Sequence, residues 1–161
     1  MPIDWFRIDD RLVHGQVVVG WGQPCRLGFI ALVDDTVAAN DWERDLYAMG
    51  TPPEMTLFVE STATALARLA EFDARPDSGM LLTADVATMA RLADAAPRIR
   101  AVHVGGVHHR AGRTPRLPYV YLTAQEEAEL RALSARGVVV TAQDLPGAEE
   151  VPLDELLAGH A

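Results

Sequence analysis

The stretch "LGFIALVDDTVAANDWERDLYAM", residues 27–49, begins as an unbroken apolar run, stops at two aspartates and continues with apolar residues three or four apart. Its first part, Leu27 to Val33, has the length and composition of a buried strand. Its second, "NDWERDLYAM", has helical spacing, with Asn40 placed as N-cap. The same order recurs outward in both directions. Strands are expected near Asp4–Ile8, Leu27–Val33, Met55–Val59, Gly79–Thr83, Ala101–Val104, Tyr119–Leu122 and Val138–Thr141. Between them, "HGQVVVGWG", "STATALARLAEF", "DVATMARLADAA" and "TAQEEAELRALSARG" show helical periodicity, with Ser61, Asp85 and Thr123 as further N-caps, and "LDELLAG" adds a short amphipathic end. Parallel neighbours need crossover connections, so this order implies an α/β fold: an open, mainly parallel twisted sheet of about seven strands with helices on both faces. No low-complexity linker or repeat divides the chain, which reads as a single domain over residues 1–161. Only "GGVHHRAGRTPRLP", residues 105–118, lacks strand or helix character, and long irregular loops in compact domains are often functional.

Composition narrows the function. Of 161 residues, 49% are hydrophobic, enough for one core, and 23 acidic against 14 basic residues give a formal charge of −9. That balance argues against binding polyphosphate backbones, so nucleic acid is set aside. Every basic residue is arginine, which excludes mechanisms that need a catalytic amine. The single cysteine, Cys25, has no internal disulfide partner and is expected to be inert packing. "MPIDWF" lacks the charged and apolar regions of a signal peptide, and no 18-residue window is uninterrupted apolar. The expectation is a cytoplasmic protein free to dock on a membrane protein. Trp5, Trp21 and Trp42 are expected in core or interface, and His160 is left without a role.

Ligands of open α/β sheets gather beyond the carboxyl ends of the strands. There the first strand leads into "RIDDRLVHGQ", residues 7–16. His14 is placed to act as a nucleophile toward a phosphoryl group. Gly15 lets the backbone turn, and the next helix, beginning near Gln16, offers amides and the positive end of its dipole. Arg11 can steady phosphoryl oxygens with its planar fork, and Asp9 or Asp10 can hold one ring nitrogen or orient Arg11. The same residues also suit a solvated, helix-capping loop. Gly105 and Gly106 fit either a phosphate-supporting loop or a tight turn, and Asp34 and Asp35 fit either the site or helix capping.

The words of the sequence decide between these readings. "RIDDRLVHGQVVVGW" closely resembles the active-site segment of the IIB component of the mannose/sorbose family of the bacterial sugar phosphotransferase system (PTS). "LVDDTVAANDWERDLYAMGTPP", "VHVGGVHHRAGRT" and "VYLTAQEEAELRALSARGVVVTAQDLP" resemble later segments of that family in the same order, so that residues 4–157 are covered. The resemblance implies a cytoplasmic phosphocarrier, peripherally associated with a membrane transporter. On it His14 accepts a phosphoryl group from a phosphorylated IIA protein or domain and passes it to a sugar at the IIC and IID components. Arg11, Asp9 and Asp10 match the family's arginine and acidic pair, the ring nitrogen it implies is Nδ1, and neither metal nor cofactor is implied. Self-association into a homo-oligomer is left open. At "TAD", residues 83–85, and in the 105–118 loop, with its paired His108 and His109, the sequence departs from the family, which bears on partner choice and on phosphate screening.

Rival readings have less support. A receiver domain needs a lysine and an aspartate after its third strand, where this chain has Glu60 and Ser61 and no lysine at all. His103, His108 and His109 fit no standard metal spacing. A regulatory phosphohistidine module without sugar transfer would carry the same residues.

Overall fold

The computed structural model describes residues 3–158; Met1, Pro2 and His160 lie outside them. Strands β1 (Ile3–Ile8), β2 (Leu27–Val33), β3 (Thr56–Glu60), β4 (Ser78–Thr83), β5 (Ala101–Val104) and β8 (Val139–Ala142) form a parallel sheet in the order β3-β2-β4-β1-β5-β8. A seventh strand, β9 (Val151–Pro152), closes the edge antiparallel to β8. Both faces are covered, as the alternation along β2 shows. Phe29, Ala31 and Val33 point into one apolar cluster, and Ile30 and Leu32 into another on the opposite side.

The first cluster is covered by α3 (Thr62–Asp73), α4 (Val86–Ala95), α5 (Ala124–Ala135) and α6 (Leu153–Leu157), which bring Leu69, Phe72, Met89, Leu92, Leu130 and Leu156 to it. The second receives Val17, Val18 and Trp21 from a segment at Gln16–Trp21, and Val37 from α1 (Asp35–Ala38). Helix α2 (Asp41–Met49) follows α1 and buries none of its residues. Local chemistry starts these helices. Asn40, Ser61 and Asp85 each accept the amide three residues on, and Thr123 with Glu126 forms a capping box.

Two elements of the structure differ from the sequence reading. Tyr119–Leu122 does not enter the main sheet. Its strand part, β7 (Val120–Leu122), pairs antiparallel with β6 (Thr114–Leu117) in a separate ribbon, so the 105–118 loop contains a strand and β9 takes the seventh place. The segment after His14 is a π-helix: the Gly22 amide donates to the Val17 carbonyl at 2.8 Å, five residues back. Of the tryptophans expected in core or interface, Trp21 is buried and Trp42 is 71% exposed.

Gly79 in β4 sets a tight tolerance beside β2. A Cβ there would lie 2.1 Å from Cζ of Phe29, which is fully buried and stacks on Phe72 with centroids 5.9 Å apart. Gly79→Ala is therefore expected to lower the unfolding free energy by roughly 1–3 kcal/mol in urea titration, with the slope unchanged.

Candidate active site

The loops after β1, β4, β5 and β8 meet at the carboxyl end of the sheet. The Asp9 amide donates to the Thr83 carbonyl at 2.9 Å and the Asp10 amide to the Gly106 carbonyl at 2.8 Å, which sews the first loop to its neighbours. The chain reverses sharply at Leu12, with φ 57°. A left-handed leucine is strained, and two restraints hold it: a buried side chain and an amide donating to the Asp9 carbonyl at 2.9 Å. The turn expected at Gly15 is thus made at Leu12, since Gly15 has ordinary helical angles (φ −53°, ψ −40°) and open space around its Cα.

This reversal returns His14 to Asp9. Nε2 of His14 lies 3.1 Å from Oδ1 of Asp9, in an oblique approach that favours electrostatic contact over a linear hydrogen bond. On the other side of the ring, the Gln16 amide donates to Nδ1 at 3.3 Å. A carboxylate only accepts and an amide N–H only donates, so the two contacts agree on one tautomer: the proton on Nε2 and the lone pair on Nδ1. The ring is part-exposed and Asp9 is buried.

Asp9 has further partners. Its Oδ1 accepts the Arg11 amide at 3.1 Å and lies 3.8 Å from Arg11 Nε, and the Gly106 amide approaches Oδ2 at 3.4 Å. Burial pushes the Asp9 carboxyl up, but contacts with His14, the Arg11 amide and the Arg7 charge together outweigh it and hold the group below the usual aspartate range. Arg7, in β1 and 1% exposed, lies with its guanidinium 4.3 Å from the Trp21 ring centroid and donates from Nη2 to the Asp144 carbonyl at 3.0 Å. Burial pulls its pKa down to about 10, against the opposing effect of Asp9, Asp144 and Tyr119. Arg11 itself is exposed, and its Nη2 donates to Oε1 of Gln16 at 2.7 Å.

The two glycines after β5 have a steric purpose. A Cβ on Gly105 would come 2.6 Å from Arg7 Nη2, and one on Gly106 would come 2.7 Å from Cε1 of His108. The Gly105 amide is bonded to the Ile8 carbonyl at 2.7 Å. Asp10, the second acid, faces away from His14. Its Oδ1 lies 2.7 Å from Nδ1 of His108, its Oδ2 accepts the His108 amide at 2.7 Å, and Arg113 stands behind at 3.8 Å. Asp9 and Asp10 therefore each hold a different histidine. His109 is exposed and meets Tyr121 edge-on, while His103 packs against Trp5 and Trp21. Asp34 caps α1, and Asp35 accepts the Thr62 amide at 2.7 Å.

Two residues escaped the sequence reading. Arg7 was legible only as a charge inside an apolar strand. Asp144 follows β8 in "TAQDLP", and the rule that sends attention to strand ends reaches it once β8 is counted with the others.

Fold and site together define an α/β domain that presents one histidine, an arginine and a buried carboxylate at the end of its central strand. A family model described as the PTS system sorbose subfamily IIB component matches residues 3–161, and the chain belongs to that family of sugar phosphotransferase-system components. It is 32% identical over 154 residues to the N-acetylgalactosamine-specific phosphotransferase enzyme IIB component 1 of Escherichia coli, covering 91% of this chain and 94% of that one. The mannose-specific EIIAB component of Escherichia coli is 31% identical over 138 residues, and the match spans 86% of this chain but 43% of that longer protein. Among solved structures, the IIBSor domain of the sorbose permease from Klebsiella pneumoniae superposes with a TM-score of 0.89 at 25% identity, over 99% of each chain. The structure of manxB from Thermoanaerobacter tengcongensis gives 0.88 at 28% identity, over 98% of this chain and 96% of that one.

The depressed Asp9 value has a definite sign. Its stabilising contribution is complete above the ordinary aspartate value of about 3.9 and is lost as the pH falls through the lower folded value. Asp9→Asn is expected to flatten the acid limb of the stability curve between about pH 5 and 2, measured by urea unfolding at a series of pH values.

Proposed function

We propose that this IIB protein accepts a phosphoryl group on Nδ1 of His14 from a phosphorylated IIA partner and passes it to a sugar held by a IIC and IID membrane transporter. The geometry that carries this reading is at the ring: Asp9 beside Nε2 favours the proton there and so puts the lone pair on Nδ1, where the Gln16 amide makes a long 3.3 Å contact that the incoming phosphorus displaces. In the transfer the donor's N–P bond breaks and an Nδ1–P bond forms, with no proton to remove from Nδ1. The ring gains positive charge while keeping its Nε2 proton, and the Asp9 carboxylate stabilises that charge. Arg11 donates to the equatorial oxygens of the moving group, and the amides near Gly15 and Gln16 add single donors. The π-helical segment has six residues, so individual amides matter there more than any summed dipole.

Transfer between two imidazoles is nearly balanced in free energy, which suits a site that positions more than it activates. The loop after β5, with His108 fixed by Asp10, is suited to screening the phosphohistidine from water. No helix among the described residues is long and apolar enough to cross a membrane, so the sugar would be met through association with the transporter. On this reading sugar choice belongs to the transporter that holds the sugar; the relatives themselves are named for N-acetylgalactosamine, mannose and sorbose.

Incubation with phosphorylated IIA should give the wild type an acid-labile, base-stable phosphate and His14→Ala none. Label on the alanine variant at the wild-type level would refute the assignment. Added sugar with transporter membranes should then drain the label, whereas label that stays would favour a signalling module. Arg11→Ala should fold normally and transfer roughly ten to a thousandfold more slowly in rapid-quench measurements.

A further inference from the structure

Gln16 lies between two groups with opposite demands. Its Nε2 donates to Oδ1 of Asp144 at 3.1 Å, and its Oε1 accepts from Nη2 of Arg11 at 2.7 Å. Asp144 can only accept and Arg11 can only donate, so the carboxamide has one workable orientation; reversed, it would set donor against donor and acceptor against acceptor. The anchor of this chain of contacts is fixed. The carbonyl of Asp144 accepts from Arg7 Nη2 and from Trp21 Nε1, each at 3.0 Å, and both of those side chains are fully buried.

We propose that Asp144 is a positioning residue for phosphoryl transfer, acting through Gln16 to hold the Arg11 guanidinium where it can reach a phosphoryl group on His14. This rests on the phosphocarrier reading above and extends it to a residue outside the histidine loop. Arg11 is a long, exposed side chain that would otherwise lose considerable rotamer freedom on reaching the phosphoryl group. In the structure it is restrained at both ends of its guanidinium, by Asp9 near Nε and by Gln16 at Nη2. Gln16 also presents its backbone amide to Nδ1, so one residue ties the arginine head to the reacting nitrogen. The frame behind it is β8, whose end reaches the site only because β8 lies beside β5, next to β1.

Rapid-quench transfer from radiolabelled phospho-IIA tests the proposal on wild type, Asp144→Ala, Asp144→Asn, Arg11→Ala and the double variant Arg11→Ala with Asp144→Ala. Asp144→Ala should slow transfer about ten to a hundredfold, the scale of a misplaced catalytic group. Asp144→Asn keeps an acceptor oxygen for Gln16 and should restore near wild-type speed. In the Arg11→Ala background the same change should add almost nothing, because its route of action is already gone. Side-chain NMR should show resolved Arg11 guanidinium signals in wild type and Asp144→Asn, averaged in Asp144→Ala. The contacts to Arg7 and Trp21 use the Asp144 carbonyl, so the alanine variant should keep its fold; Gln16→Met, put through the same cycle, supplies a second break in the tether. Wild-type speed for Asp144→Ala, or equal slowing with and without Arg11, would overturn this proposal alone. A wild type that takes no label would overturn the phosphocarrier reading and this one with it.

Discussion

The Asp9 carboxylate is a charge placed where water hardly reaches it, at the end of the central strand, and much of the site exists to satisfy it. Its partners come from beyond its own strand: the His14 ring and Arg11 amide from the turn that follows, and the Gly106 amide from the loop after β5. A buried carboxylate deprived of such partners would be expensive, so the loop conformation and the ionised state support each other. The left-handed backbone at Leu12 belongs to the same bargain, because only a sharp reversal there returns His14 to the acid three-dimensionally behind it.

A second buried charge lies beneath the first. Arg7 is desolvated by the sheet and Trp21, and it keeps its charge with help from the Asp144 carbonyl and the nearby carboxylates. The bare Gly105 is what lets the guanidinium lie flat in that space. In register with Arg7 on β5 is His103, whose proton affinity falls with burial and with the arginine's field, leaving a neutral ring among the tryptophans. The second face of the sheet therefore carries a polar seam leading toward the site, while the first is a continuous apolar core.

The fold was legible because its signals are local. Leu27–Val33 and Ala101–Val104 were bounded correctly by composition, and Asn40, Ser61, Asp85 and Thr123 announce their helices through side-chain chemistry alone. Pairing partners are not local. Val120–Leu122 has strand composition whichever neighbour it finds, and the two-residue β9 is too short to leave a periodic trace. The same holds for the site. Its histidine, arginine and acidic pair stand within six positions, but the division of labour between Asp9 and Asp10 depends on where the β5 loop returns, and Asp144 lies 128 residues from the glutamine it meets. The apolar run after His14 carried no mark of its wider helical turn.

Strand β9 has a consequence for how such molecules behave side by side. It is two residues long, runs against the direction of its neighbour, and one of those residues is Pro152, which has no N–H. A sheet that ended at β8 would display a ladder of unpaired donors and acceptors to any passing strand. Capped in this way, that flank is a poor template for edge-to-edge polymerisation.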